Sequence, residues 1–279
     1  MGVSVVALLC RTSDRTPGGA RGAGALAPLL AEPLGVEPRL VGTPGEAHEG
    51  DFADDLRESR GCLLEAGGQV DDALSAGKVP FLLAGDCSIC VTTLPTVWRH
   101  RPEVRVLWLD AHGDFNTPDT TGSRFLGGMC LAGACGLWDT GFPETIPAGR
   151  VVLAGVRALD GDERELLEGS EATVIGDTLE TLVYVQNALD RCPVYVHLDL
   201  DVLDPASFPA QFPAPGGLSP DKLYDVLEAV VDECELVGAE ITAFEAPEDE
   251  LEREAAASTA LHVVEPLLQA AMRGAHVSH

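Results

Sequence analysis

Apolar and polar positions follow two different periods along this chain. Short runs rich in Val, Leu and Ile, bounded by turn residues, predict eight β-strands at residues 3–9, 39–41, 79–84, 104–109, 151–156, 173–175, 194–200 and 236–243. Stretches with apolar residues at helical spacing predict helices at about residues 56–76, 91–99, 162–167, 179–188, 220–234 and 251–272. Strands that alternate with helices predict an α/β fold with a mainly parallel sheet, and we expect one domain over residues 1–279.

The composition is strongly acidic, with 45 acidic and 18 basic residues and a formal net charge of −27. Such a surface repels phosphate groups and attracts small cations, so we expect no nucleic-acid partner. Acidity also keeps a protein soluble, and both effects hold together. Residues 1–9 lack the basic region of a signal peptide, and no apolar run has membrane-spanning length. We therefore predict a cytoplasmic protein without a membrane partner.

Cysteine usage gives little sign of an oxidised scaffold. The eight cysteines are too sparse for a disulfide framework, and no pair of them recurs at zinc-site spacing. We expect most of them to be reduced residues of the core.

Two predicted strands end in acidic motifs of the same form. The first motif carries Asp110, His112 and Asp114, and the second carries Asp199 and Asp201. Residues two apart in an extended chain share a face, so the side chains within each motif point together. One such motif alone is more typical of a solvated strand end with a capping Asp. The pair predicts that five ligand-type side chains converge.

Four carboxylates crowded into one cleft cannot all stay ionised without positive charge between them. Divalent metal ions supply that charge, and carboxylates with an imidazole suit Mn²⁺ better than a thiolate-rich zinc site would. Two ions bridged by aspartates roughly 3.5–4 Å apart lower the pKa of a shared water toward neutrality. The motifs therefore predict a metal centre.

Three signatures, in order along the chain, resemble those of the arginase/agmatinase family. They are AGDCS at 84–88, DAHGDFN at 110–116, and DLDVLDP at 199–205 with PGGL at 215–218. The resemblance covers residues from about 79 to the C-terminus, while the first 75 residues add little. It implies a three-layer αβα sandwich around an eight-stranded, mainly parallel sheet.

The same resemblance implies the ligand set of two Mn²⁺ ions. Asp110 and Asp199 would bridge the ions, Asp114 would serve the first ion, and His112 with Asp201 would serve the second. Asp114 would also hydrogen-bond the metal-bridging hydroxide that attacks the guanidinium carbon. Family members are often trimers or hexamers, which makes a homo-oligomer possible by analogy only.

Two residues depart from the family pattern. Cys87 occupies the place of a histidine ligand of the first metal, and a thiolate suits Mn²⁺ less well, so that ion should be held more weakly. The alternative is a buried thiol that does not ligate. Gly127 stands where arginases carry a histidine that is thought to shuttle protons, a loss that would impair an ordinary arginase.

The resemblance also implies residues that bind the substrate. Asn116 and Ser123 match positions that hold the α-carboxylate, and Asp160 matches the acid near the α-ammonium group. Glu245 is the match to the catalytic glutamate that clamps the guanidinium, although its spacing to Pro247 is one residue short, and Glu240 is the fallback. Taken singly, these residues are equally typical of turns, of a helix N-cap and of strand ends.

Together these features predict a small cationic amino acid as substrate. An intact amino-acid clamp beside an altered metal site, without the shuttle histidine, indicates a specialised arginine derivative. The resemblance implies that this derivative is Nω-hydroxy-L-arginine, which would yield hydroxyurea and L-ornithine as in D-cycloserine biosynthesis. The alternatives are an arginase or other ureohydrolase acting on arginine, agmatine or a guanidino acid, and a non-catalytic binding protein with the same fold. The retained carboxylates argue against the last, because a pure binder gains little from crowding them.

Overall fold

The computed structural model describes residues 2–176 and 181–276, without the side chains of residues 275 and 276. The strands in this part of the chain are β1 Gly2–Leu8, β2 Arg39–Val41, β3 Lys78–Leu83, β4 Arg105–Leu109, β5 Val151–Val156, β6 Thr173–Gly176, β7 Val194–Asp199 and β8 Leu236–Thr242. They form one sheet in the order β2-β1-β3-β8-β7-β4-β5-β6, and every neighbouring pair is parallel. The eight predicted strands and the parallel sheet are thereby confirmed.

Helices cover both faces of this sheet, which confirms the three-layer arrangement. Their bounds are α1 Gly18–Leu34, α2 Phe52–Glu58, α3 Arg60–Ser75, α4 Cys90–His100, α5 Cys130–Ala134, α6 Gly161–Glu168, α7 Thr181–Leu189, α8 Pro220–Glu233 and α9 Glu250–His276. Helices α1, α7, α8 and α9 pack around one apolar core, and α3, α4, α5 and α6 contribute to a second core across the sheet.

The central strands are buried on both faces. All six residues of β7 and all seven of β8 are buried, as expected for apolar runs covered by helices on each side. Strands β4 and β7 are direct neighbours, with Leu109 opposite Leu198. Their carboxyl ends, where the acidic motifs begin, therefore lie side by side.

Helix α1 was not predicted from the sequence. It contains Pro28 and Pro33 and several glycines, residues that lower helix propensity. Leu26 and Leu30 are buried in the core, so tertiary packing of one apolar face outweighs the propensity. The predicted helix at 56–76 is divided at Ser59 into α2 and α3. The predicted helix at 179–188 begins at residues 179 and 180, which lie outside the described residues.

The structure contains one disulfide that was not predicted from the sequence. Cys10 and Cys62 form a disulfide, and the other six cysteines are free, as predicted for most of them. The disulfide ties the segment after β1 to α3. None of the helices in residues 2–176 and 181–276 combines the length and apolarity needed to cross a membrane.

Candidate metal centre and cavity

The two acidic motifs meet at the carboxyl edge of the sheet, where α/β proteins commonly place their sites. A cavity of about 470 Å³ opens there, lined by Cys87, His112, Asp114, Asp199 and Asp201 among others. Asp110 lies beneath it and is 1% exposed. The convergence expected from the two motifs is therefore present in the fold.

Two donor groups share Asp110. The outer group consists of Asp110, His112 and Asp201, and the inner group consists of Cys87, Asp110 and His197. In each group one ligand atom per residue lies within 4.8 Å of the others. Among the described residues these are the groups of three with a geometry that could hold a metal ion.

The outer group is built by the turn after β4 and the end of β7. His112 Nδ1 lies 2.8 Å from Asp201 Oδ2 and 3.4 Å from Asp110 Oδ1. Asp201 is held in place because its Oδ1 accepts the backbone N–H of Ala111 at 3.0 Å. Burial lowers the pKa of His112, but the hydrogen bonds to Asp110 and Asp201 outweigh it and raise that pKa to about 12.

The inner group surrounds the thiol of Cys87, which begins a short 3₁₀ turn after β3. Cys87 Sγ donates to Asp199 Oδ2 at 2.9 Å and lies 3.1 Å from His197 Nε2 and 3.0 Å from Thr242 Oγ1. Asp86 caps the turn by accepting the N–H of Ser88 at 2.8 Å. His197 was not among the sequence-predicted site residues, although it precedes Asp199 by two and shares its face of β7.

Asp114 approaches the same space from the end of the first motif. Its φ of 48° is in the left-handed region, which is costly for a residue other than glycine. Its carbonyl oxygen accepts the N–H groups of Leu131 and Ala132, so the start of α5 holds this backbone in place. The side chain lines the cavity and is 7% exposed.

The electrostatics of these acids fit a cation site. Burial, followed by the neighbouring carboxylates, raises the pKa of Asp199 and Asp114 well above the ordinary value, and it raises that of Asp201 to about 6. For Asp110 burial acts in the same direction, but hydrogen bonding to His112 lowers its pKa. Divalent cations between the carboxylates would remove the repulsion and the cost of burial together.

The predicted amino-acid-binding residues line the same cavity. Asn116, Ser123 and Asp160 are all part of its wall. Asp160 stands at the N-cap of α6, yet its side chain makes no capping hydrogen bond. A carboxylate that does not cap its own helix is available to a ligand. Asn116 Oδ1 accepts the hydroxyl of Thr120 at 3.0 Å, which orients its amide.

The predicted contact between Glu245 and a guanidinium group lacks geometric support. Glu245 Oε2 accepts the hydroxyl of Thr16 at 2.6 Å, and its Oε1 accepts the N–H of Gly18 at 3.0 Å. The carboxylate thus satisfies the start of α1, the helix that was not predicted. Glu240 is fully buried against His197 and Tyr195. The end of β8 presents Ala243 to the cavity instead.

Gly127, at the place of the expected shuttle histidine, also lines the cavity. A Cβ at this position would lie 2.5 Å from Phe125 Cε1, so a side chain here requires the Phe125 ring to move.

The lining residues that were not predicted include Glu163, Arg15 and Gln211. Glu163 is 4% exposed, its Oε1 accepts the N–H of Phe115 at 2.9 Å, and burial raises its pKa. It lies three residues after Asp160, the N-cap of α6, and this spacing of two acids at a helix start is a signal the sequence does contain. Arg15 donates to the carbonyl oxygen of Ser123 at 3.1 Å and stacks over Phe125. Gln211, described below, lies in the loop before α8.

Comparison with known proteins agrees with this geometry. The model of the arginase family matches residues 46–269. The chain belongs to the arginase family.

Two curated relatives and one solved structure illustrate the likeness. The N(omega)-hydroxy-L-arginine amidinohydrolase of Streptomyces lavendulae is 36% identical over 261 residues, covering 94% of this chain and 95% of that protein. The arginase of Bacillus caldovelox is 32% identical over 210 residues, covering 69% and 70%. The solved arginase of Bacillus subtilis superimposes with a TM-score of 0.84 at 26% identity, covering 96% and 98%.

Proposed function

We propose that this protein is a binuclear-metal amidinohydrolase that converts Nω-hydroxy-L-arginine to hydroxyurea and L-ornithine with two Mn²⁺ ions. One observation carries the proposal: the carboxylates and His112 at the ends of β4 and β7 face the same cavity as Asn116, Ser123 and Asp160. The relative from Streptomyces lavendulae, named for action on hydroxyarginine, supports the choice of substrate.

The wall formed by Asn116, Ser123 and Asp160 supports an α-amino acid rather than a decarboxylated amine. A free carboxylate on the substrate accepts from the Asn116 amide and the Ser123 hydroxyl, and its ammonium group pairs with Asp160. Agmatine has no carboxylate, so it forfeits the first two contacts. An ordered amino-acid end also fixes the guanidino carbon relative to the donor groups.

Gln211 in the cavity wall supports a hydroxylated guanidino group. Gln211 is 2% exposed, and among the described residues neither its Nε2 nor its Oε1 has a hydrogen-bond partner. A plain guanidinium only donates hydrogen bonds, whereas an N-hydroxyguanidine also accepts through its hydroxyl oxygen. An amide offers both a donor and an acceptor, and the carboxylate of Glu245 is engaged elsewhere.

When bound, the two cations would supply hydroxide near neutral pH. The chain's own residues provide the position and the charge. Asp110 belongs to both donor groups, Asp199 lines the cavity beside them, and Asp114 faces the cavity where it can accept a proton or a hydrogen bond from the attacking group. Cys87 should leave the first ion more weakly held than the second.

The test is a product assay on protein loaded with Mn²⁺ whose metal content is measured on the same sample. We expect kcat/KM for hydroxyarginine to exceed that for arginine, and agmatine to be the poorest substrate. A preference for arginine would favour the arginase alternative, which the arginase relatives support. A preference for agmatine would contradict the assigned amino-acid wall, and inactivity on all three compounds without bound metal would favour the non-catalytic alternative.

A Gln211→Glu variant tests the guanidino end separately. A carboxylate there pairs with a plain guanidinium, so the ratio of kcat/KM for hydroxyarginine to that for arginine should fall by about tenfold, the equivalent of one hydrogen bond to a charged group. Gln186→Glu, on α7 and away from the cavity, is the control. An unchanged ratio in Gln211→Glu would remove Gln211 from the substrate site.

A cytoplasmic location, a homo-oligomer, a role in D-cycloserine biosynthesis and the absence of nucleic-acid and membrane partners stay predictions. The same holds for the single domain over residues 1–279.

A further inference from the structure

The inner donor group contains an imidazole from a strand, although the usual ligand position after β3 holds Cys87. His197 lies two residues before Asp199 on β7, so both side chains leave the same face of that strand. His197 is fully buried, and its Nε2 lies 3.1 Å from Cys87 Sγ. When two ligand atoms each lie about 2.0–2.3 Å from the same metal ion, the distance between the two ligand atoms is similar to this 3.1 Å separation or slightly larger.

Three polar side chains converge on the buried sulfur of Cys87. Its Sγ lies 2.9 Å from Asp199 Oδ2, 3.1 Å from His197 Nε2 and 3.0 Å from Thr242 Oγ1. A cation bound by the sulfur, the imidazole and the carboxylates satisfies all of them at once.

The ring of His197 is held in the way that metal-binding histidines are held. Its Nδ1 lies 2.6 Å from Glu240 Oε1, and the hydroxyl of Tyr195 donates to Glu240 Oε2 at 3.1 Å. A proton on Nδ1 directed at Glu240 leaves the lone pair of Nε2 facing Cys87 and Asp110. Such a carboxylate behind an imidazole fixes the tautomer and raises the basicity of the ligating nitrogen.

Trp108 restrains the same group from β4. Its ring stacks on His197 with centroids 3.5 Å apart and an interplanar angle of 3°. Its Nε1 donates to Asp110 Oδ2 at 3.0 Å. One buried indole therefore orients both the imidazole and the carboxylate of the inner group.

We propose that His197 binds the first metal through Nε2, together with Cys87 and Asp110. The inference deepens the proposed function and rests on it. It makes the two metal positions chemically unequal: the inner one has sulfur, nitrogen and oxygen donors and favours a softer ion such as Co²⁺ or Zn²⁺, and the outer one suits Mn²⁺.

The test uses the metal-free full-length protein titrated with Co²⁺, read out by metal content after dialysis and by the sulfur-to-cobalt charge-transfer band. The deciding variant is His197→Gln. Its amide can donate to Glu240 and accept from Cys87, so it preserves the hydrogen bonds but is a poor metal ligand. His262→Ala, at an exposed histidine beside Asp221, is the matched control.

We expect two Co²⁺ ions and the band in the wild-type protein and in His262→Ala. His197→Gln should keep one ion, lose the band and bind the other ion at least about tenfold more weakly. Two tightly bound ions and an unchanged band in His197→Gln would overturn the proposal and leave His197 as a hydrogen-bond partner of Cys87. The proposed function would survive that result.

X-ray absorption of the wild-type protein loaded with two Co²⁺ ions gives a measurement that needs no variant. We expect one sulfur and two imidazole nitrogens shared between the two ions. A single imidazole, or no sulfur, would overturn the proposal. A wild-type protein that binds no cobalt and has no hydrolase activity with Mn²⁺ would overturn both the proposal and the function it rests on.

Discussion

The inner and outer donor groups share one carboxylate but differ in how the chain builds them. The outer group comes from adjacent positions after β4 and β7, and His112 is 30% exposed at the cavity wall. The inner group joins β3, β4 and β7, and Cys87 and His197 are 4% and 0% exposed. A hard, accessible donor set thus lies beside a soft, enclosed one. Two metal positions in one cavity need not be chemically equivalent.

The largest effect is expected at Asp199, which contacts a member of each donor group. It accepts from Cys87 and also from the backbone N–H of Asp201 at 2.7 Å. Under the proposed function its carboxylate serves both metal positions, so Asp199→Ala should lower turnover by more than about 100-fold, which exceeds the loss expected for a residue that only supports a ligand. Steady-state kinetics with Asp204→Ala as control measure this. Substantial remaining turnover would contradict a bridging role.

Removing the imidazole of the outer group should affect one ion only. In His112→Ala the outer donor group keeps the carboxylates of Asp110 and Asp201 but loses its nitrogen donor. The affinity for the second Mn²⁺ should therefore fall about 10- to 100-fold. Metal content after dialysis separates this from loss of the inner ion. Loss of both ions would show that the two positions fill cooperatively, and it would contradict the view that the inner and outer donor groups bind their ions separately.

Exchanging the thiol for an imidazole should make the inner donor group a better match for Mn²⁺. Cys87→His replaces a soft donor, so the affinity for Mn²⁺ should rise about tenfold and the preference should move toward arginine. Isothermal titration with Mn²⁺ and kcat/KM for both substrates measure the two effects. If affinity and selectivity are both unchanged, Cys87 has no ligand role and the inner position depends on other donors.

The smallest effect concerns Asp14, a buried acid outside both groups. Burial and the neighbouring Asp86 raise its pKa to about 8 from an unfolded value near 3.8. The folded state binds the proton more tightly, so this group's contribution to stability is present below pH 4 and is lost as the pH rises toward 8.

Asp14→Asn should remove this pH dependence of the free energy of unfolding, to which Asp14 contributes a decrease of about 1 kcal/mol per pH unit. The free energy of unfolding, measured by urea titration at several pH values between 5 and 8, tests this. Asp72→Asn, on the surface of α3, is the control. An equal slope in Asp14→Asn and the wild-type protein would show that Asp14 is ionised in the folded state.

The sheet and most helices could be predicted because their signals are local. The runs at β4 and β7 are mostly apolar and lead to aspartates, and Ser219 caps α8 by accepting the N–H of Lys222 at 3.2 Å, as its Ser-Pro-Asp start indicates. Helix α1 could not be predicted because its Gly and Pro content opposes a helix in isolation. Burial of one face of α1 against the core, including Leu26 and Leu30, compensates for that content.

Glu245 shows the limit of motif spacing at the site. The resemblance implied a substrate contact, although the spacing to Pro247 is one residue short, and the carboxylate binds Thr16 and Gly18, which are more than 225 residues away in sequence. The resemblance begins near residue 79, so it contained no information about these two partners. They lie at the start of α1 and hold the carboxylate of Glu245.

By itself, the sequence determined that each acidic motif follows the end of an apolar strand, and the strand period of two places His197 on the same face of β7 as Asp199. It could not determine which faces meet. Strand order set that: β7 lies between β8 and β4, so Cys87 after β3 reaches His197 across the carboxyl edge of the sheet. Metal chemistry depends on ångström separations between distant segments, and only tertiary packing sets those separations.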